Sequence, residues 1–74
     1  MNIEVFKTTV NNGIQAGRII EAIHRDHDTY RANFDLQDCD RILRIVSFNG
    51  PVQASSLIEL VRSLGFDAEV LPDL

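Results

Sequence analysis

Three places in this 74-residue chain carry side chains able to bind a metal or attack a substrate. His24 and His27 have the His-x-x-His spacing of a common metal-ligand pair, and Asp26 and Asp28 add oxygen donors beside them, a set suited to zinc or nickel. The same segment also reads as a solvated turn at a helix end, where imidazoles favour the negative pole of the helix dipole. Cys39 stands between Asp38 and Asp40, whose carboxylates disfavour the thiolate and make it a slow nucleophile. Its remaining options are an ordinary turn residue, a redox link to the Cys39 of a second chain, or a chance metal contact. Ser55 and Ser56 head a helical stretch, and Ser56 with Glu59 has the spacing of a capping box. With no base close in sequence, neither serine is expected to be catalytic. The chain has no glycine-rich phosphate loop.

Size limits what such residues can do. A domain this short buries only about 60% of its unfolded surface, which leaves one thin core and little room for a deep enzyme pocket. Surface grooves and partner contacts are expected instead, with no enzymatic activity and no cofactor. The net charge of −4 should repel phosphate backbones and anionic lipid, so nucleic acid is not an expected partner. Residues 1–5 lack the basic and apolar regions of a signal peptide, and the most apolar segment, residues 42–48, is interrupted by Arg44. A soluble cytoplasmic protein without membrane insertion is expected. A single cysteine permits no internal disulfide.

Periodicity divides the chain into six short elements of one domain, residues 1–74. Residues 3–8 have strand character, and Ala16, Ile19, Ile20 and Ile23 recur at the spacing of a helix with one buried face. Residues 30–35 alternate as a half-covered strand, residues 37–40 form a polar turn, and residues 42–48 are rich in β-branched and aromatic side chains. Asn49-Gly50-Pro51 breaks that strand. Leu57, Leu60, Val61 and Leu64 repeat the helical spacing, Gly65 is placed to close the helix in the left-handed conformation, and residues 66–70 alternate as a last strand. The order β-α-β-β-α-β, with one apolar stripe per helix, predicts an α+β, ferredoxin-like sandwich. Both helices then lie on one face of a four-stranded antiparallel sheet whose first and third strands are central. Ile3 and Val5 share one face of the first strand and Phe6 takes the other, so an apolar side chain is expected on the open sheet surface, where a partner could use it.

At the start of the first helix, Asn12 is a preferred N-cap residue, and Gln15, three positions on, can reach back to the N-cap N–H as a capping box. The loop Asn11-Asn12-Gly13 could also hold an anion or a partner's carboxylate at the positive helix end.

The segment from Phe6 to Ala16, a strand running into a helix, resembles the metal-gripping corner of heavy-metal-associated domains, the copper-chaperone family. Ile19-Ile20-Glu21-Ala22-Ile23 is similar to the family's Val-Glu-Lys-Ala-Leu helix centre. Residues 30–36 resemble its second strand, and Leu64-Gly65-Phe66-Asp67-Ala68 its Ala-Gly-Tyr-x-Ala helix exit. The family's Met-x-Cys-x-x-Cys loop maps onto Val10, Asn12 and Gln15, so both thiols are missing, and His27-Asp28 stands where Pro-Gly is frequent. Cu(I) is soft and prefers thiolate sulfur, whereas amide oxygens are neutral, hard donors. No metal is therefore expected at this corner, and His24, His27 and Cys39 remain the alternative ligands.

The resemblance implies a small module of metal homeostasis without the usual thiolate site. It would dock on a metal transporter or chaperone domain through Val10, Asn11, Asn12, Gly13 and Gln15, as a monomer or weak dimer. The same strand order also serves amino-acid-sensing regulatory modules of the ACT type, which act as dimers, and this is the alternative reading.

Overall fold

The computed structural model describes residues 2–72 and has the expected element order: β1 (Asn2–Thr8), α1 (Gly13–Asp26), β2 (Tyr30–Asp35), β3 (Ile42–Ser47), α2 (Ala54–Ser63) and β4 (Ala68–Val70). The sheet is antiparallel in the order β2-β3-β1-β4, so β1 and β3 are central. Period-2 alternation sets the register. Phe6 opposite Leu43 faces the helices with Thr8, Ile45 and Ser47, whereas Ile3 opposite Val46 and Val5 opposite Arg44 lie on the other face. Ile3 is 55% exposed there, as the alternation of the first strand predicts.

The core is a single layer between sheet and helices. Ala16, Ile19 and Ile23 of α1 and Leu57 and Val61 of α2 pack on Phe6, Leu43, Ile45 and Tyr30. Burying each large apolar side chain contributes about 1.5–3 kcal/mol, most of which the ordering entropy offsets. Three members of the predicted stripes lie at its margins: Ile20 and Leu60 are half-buried, and Leu64, at the C-cap of α2, is exposed.

The ends of α2 show how local and distant groups share the work. At its C-terminus Gly65 has φ +96°, its N–H donates to the Arg62 carbonyl, and the Phe66 N–H donates to the Val61 carbonyl. This is a Schellman motif, closed by the residue whose missing Cβ allows it. The N-terminus departs from expectation. The helix begins at Ala54 with Gln53 as N-cap and no side-chain cap, so Ser56 and Glu59 fall inside it and form no capping box. The start is set instead by Tyr30 of β2, whose buried hydroxyl accepts from the Gln53 N–H at 2.8 Å and donates to the Pro51 carbonyl at 3.4 Å. A strand residue thereby does what a local cap does elsewhere. The last strand is also shorter than predicted, because Phe66 and Asp67 belong to the helix exit.

Candidate functional site: the loop end of the sandwich

Three connections meet at one end of the sheet: residues 9–12 between β1 and α1, residues 36–41 between β2 and β3, and residues 64–67 between α2 and β4. Two threonines tie them together. The Thr8 N–H donates to the Asp40 carbonyl at 3.0 Å, while its buried hydroxyl donates to the Arg41 carbonyl at 2.6 Å and accepts from the Val10 N–H at 3.2 Å. The Thr9 N–H donates to the Asp67 carbonyl at 3.2 Å, and its hydroxyl accepts from the Asp67 N–H at 2.9 Å. The first loop is therefore braced from both sides. A pair of β-branched hydroxyl residues at a strand exit is the sequence signal for this brace, but its partners lie far along the chain and no local pattern names them.

On that support the residues singled out in the sequence take distinct places. Asn12 is the N-cap of α1, extended at φ −148°, and its Oδ1 accepts from the Gln15 N–H at 2.9 Å. Gln15 reaches back as predicted but one residue further: its Oε1 accepts from the Asn11 N–H at 3.3 Å rather than from the N-cap N–H. Both carboxamides are thus engaged in finishing the helix. Gly13 and Asn11 are exposed. Val10 requires a correction: it is fully buried in the core and supports the loop from beneath, so it offers no contact surface to a partner. Ile14, which the spacing did not single out, is 76% exposed between the two carboxamide positions and is the most prominent apolar group of this end.

The alternative ligands are drawn into structure. His24 lies against the edge strand β2, and its Nε2 accepts the outward-pointing Ala32 N–H at 3.1 Å, which blunts an otherwise open sheet edge. This bond already uses one of the two ring nitrogens through which an imidazole binds a metal. His27 is the C-cap of α1 and stacks on Tyr30, with ring centroids 4.6 Å apart and planes 11° from parallel. Asp38, Cys39 and Asp40 offer ligand atoms within 4.8 Å of one another, the single cluster of three or more such groups among the described residues. Cys39 is exposed in the hairpin turn, and the Asp38 carboxylate accepts the Asp40 N–H at 2.9 Å.

An open cleft of about 400 Å³ runs beside the third connection, lined by Lys7, Thr9, Arg62, Asp67 and Glu69. Arg62 pairs with Asp67 across it at 3.6 Å, and Lys7 turns to Asp40 at 4.0 Å.

The residues at positions 12 and 15 do not fit the cargo that such a corner carries when it bears thiols. Neither amide can lose a proton at neutral pH to become an anionic donor. The best-placed oxygen, Asn12 Oδ1, already accepts a backbone N–H, and a soft monovalent ion prefers sulfur.

No family model matches the chain, and no curated protein matches its sequence. Among solved structures it is similar to the yeast copper transporter domain Ccc2A, determined in solution in apo and Cu(I)-loaded states, with a TM-score of 0.77 at 18% identity over 97% of each chain. Among the described residues no helix is long and apolar enough to cross a membrane. The chain has the ferredoxin-like fold of the heavy-metal-associated, copper-chaperone-like domains.

Proposed function

We propose that this protein is a non-enzymatic interaction module of metal homeostasis, which docks on a metal transporter or chaperone domain through its loop end and holds no metal of its own at residues 12 and 15. The observation that carries the reading is the bonding of Asn12 and Gln15. Both amides are spent on the helix terminus, at the place where the resemblance puts the metal clamp. What this end presents outward is a docking surface: Asn11, Asn12 and Gly13 with their polar backbone, and the exposed Ile14 beside them.

A surface of this kind suits a weak, transient partner. One exposed aliphatic anchor ringed by polar groups resembles the centre of a small interface, and the N–H and hydroxyl bonds of Thr8 and Thr9 hold it in shape before contact. In the first turn the Gln15 N–H is taken by Asn12, which leaves those of Gly13 and Ile14 for a carboxylate of the partner.

The test is a titration of the isotope-labelled protein with the soluble domain of a metal-exporting ATPase, without metal and in the presence of a chelator. Amide shifts centred on residues 11–15, reduced by Ile14→Asp, support the proposal. Shifts absent without metal, or unaffected by Ile14→Asp, overturn it.

A further inference from the structure

Among the described residues nothing covers the face of the sheet turned away from the helices, and its composition departs from that of the chain. Ile3 and Val5 of β1 lie beside Val46 and Ile42 of β3, and Phe48 continues the row. Its N–H donates to the Thr29 carbonyl, which extends the β2–β3 ladder by one residue and keeps Phe48 on this side, 62% exposed. The same face carries Lys7, Arg31 and Arg44 beside Asp35 and Glu69; Lys7 turns to Asp40, which leaves the two arginines as its unpaired cations in a chain of net charge −4.

The two arginines are the informative pair. Arg31 is opposite Val46 and Arg44 is opposite Asn33, which makes them diagonal neighbours on one face, at the ~7–8 Å spacing of such positions. Arg31 donates to its own residue's neighbour, the Tyr30 carbonyl, and Arg44 to the neutral Asn33 Oδ1 at 3.4 Å. Among the described residues no carboxylate lies within 4 Å of either. Asp35, on the far diagonal from Arg44, turns its Oδ1 to the Gln37 N–H instead. Two adjacent guanidinium groups of like charge, unneutralised beside Ile3, Val46 and Phe48, form a surface complementary to apolar groups flanked by carboxylates.

We infer that the open sheet face is a second docking surface, and that its occupant is an acidic amphipathic segment of a partner protein. Size favours a segment over a second copy of this chain. Strands of seven, six, six and three residues, about 4.8 Å apart and ~3.4 Å per residue, present roughly 360 Å² in projection, less than the ~800 Å² per partner of a standard interface. A helix of about 14 residues, ~20 Å long and ~10 Å across, covers roughly 200 Å² and fits within that footprint. At physiological salt the Debye length is about 8 Å, so the local sign of the face outweighs the overall charge of the protein. Nucleic acid fits less well: of the aromatics on the central strands, Phe6 points into the core and only Phe48 remains for stacking.

The experiment uses the whole chain, isotope-labelled, and three probes: a synthetic amphipathic peptide with Leu and Phe on one face flanked by Glu, the same peptide with Lys for every Glu, and oligouridylate. The acidic peptide should shift the amides of Ile3, Arg31, Arg44, Val46 and Phe48, and the basic one should bind at least roughly tenfold more weakly. Arg31→Glu with Arg44→Glu, and separately Phe48→Ser, should each reduce acidic-peptide binding by a similar factor while the thermal midpoint holds, since all three side chains are exposed. Absence of binding at about 1 mM peptide, equal binding of both peptides, preference for oligouridylate, shifts confined to residues 11–15, or line broadening that follows only protein concentration would each overturn the inference.

Discussion

Replacing Asn12 by alanine removes a side chain that is exposed to solvent and buries no apolar area, so the loss reports almost purely on the cap. The bond from the Gln15 N–H to Asn12 Oδ1 is short, at 2.9 Å, and N-cap truncations of this type cost about 1 kcal/mol. For a domain of 60–100 residues that is a fall in thermal midpoint of roughly 4–8 °C. Aspartate supplies the same oxygen and adds a negative charge at a helix end whose first turn contains no acidic residue. Asn12→Asp should therefore retain the cap and gain about 0.3–1 kcal/mol from the helix dipole at low salt, a gain that shrinks as salt is raised. Gln15→Ala loses only the longer 3.3 Å bond and should cost less than Asn12→Ala. The assay is guanidinium unfolding of the three variants beside the native chain, with constant m-values as the check on two-state behaviour. Equal destabilisation by Asn12→Ala and Asn12→Asp, or no measurable change with Asn12→Ala, would refute the assignment of these carboxamides to the helix terminus.

Other expectations follow from single contacts. Thr8→Val removes the bond to Arg41 and orphans the buried Val10 N–H, costing about 1–3 kcal/mol in denaturant unfolding and increasing amide exchange in residues 9–13. Tyr30→Phe strands the Gln53 N–H and should cost about 1 kcal/mol, with faster exchange at the start of α2 rather than in β2. His24→Ala exposes the Ala32 N–H on the sheet edge; amide exchange at Ala32 should accelerate specifically, with a stability loss of about 0.5–1.5 kcal/mol. Gly17→Ala should stabilise by about 0.5–1 kcal/mol in the same unfolding assay, because Gly17 is exposed in α1 and an added Cβ meets open space.

What the sequence made legible, and what it did not, divides by distance along the chain. β2 spans residues 30–35 as its alternation predicts, and the Gly65 helix exit follows from a residue type whose conformational freedom is local. The N-cap role of Asn12 was readable for the same reason, since its partner is three residues away. The capping box expected at Ser56 failed because Tyr30, 23 residues from Gln53, fixes the start of α2. Val10 looked like a loop residue, and only the closure of the sandwich shows that it faces the core. The two histidines resembled a ligand pair until the edge of β2 and the ring of Tyr30 gave each a partner. Local spacing specified the elements; the contacts that define the loop end cross 33 and 58 residues and could not be read from it.

We propose that, on this ferredoxin-like fold, the corner where the resemblance puts a sulfur clamp holds carboxamides that finish a helix. A Cu(I) competition titration against a chromophoric chelator, run on the native chain and on Asn12→Cys with Gln15→Cys, tests it most directly. The native chain should take no Cu(I) from the chelator, whereas the double variant should bind it with submicromolar affinity. Submicromolar binding by the native chain that is lost in His24→Ala or Cys39→Ser, or failure of the double variant to bind, would contradict the account.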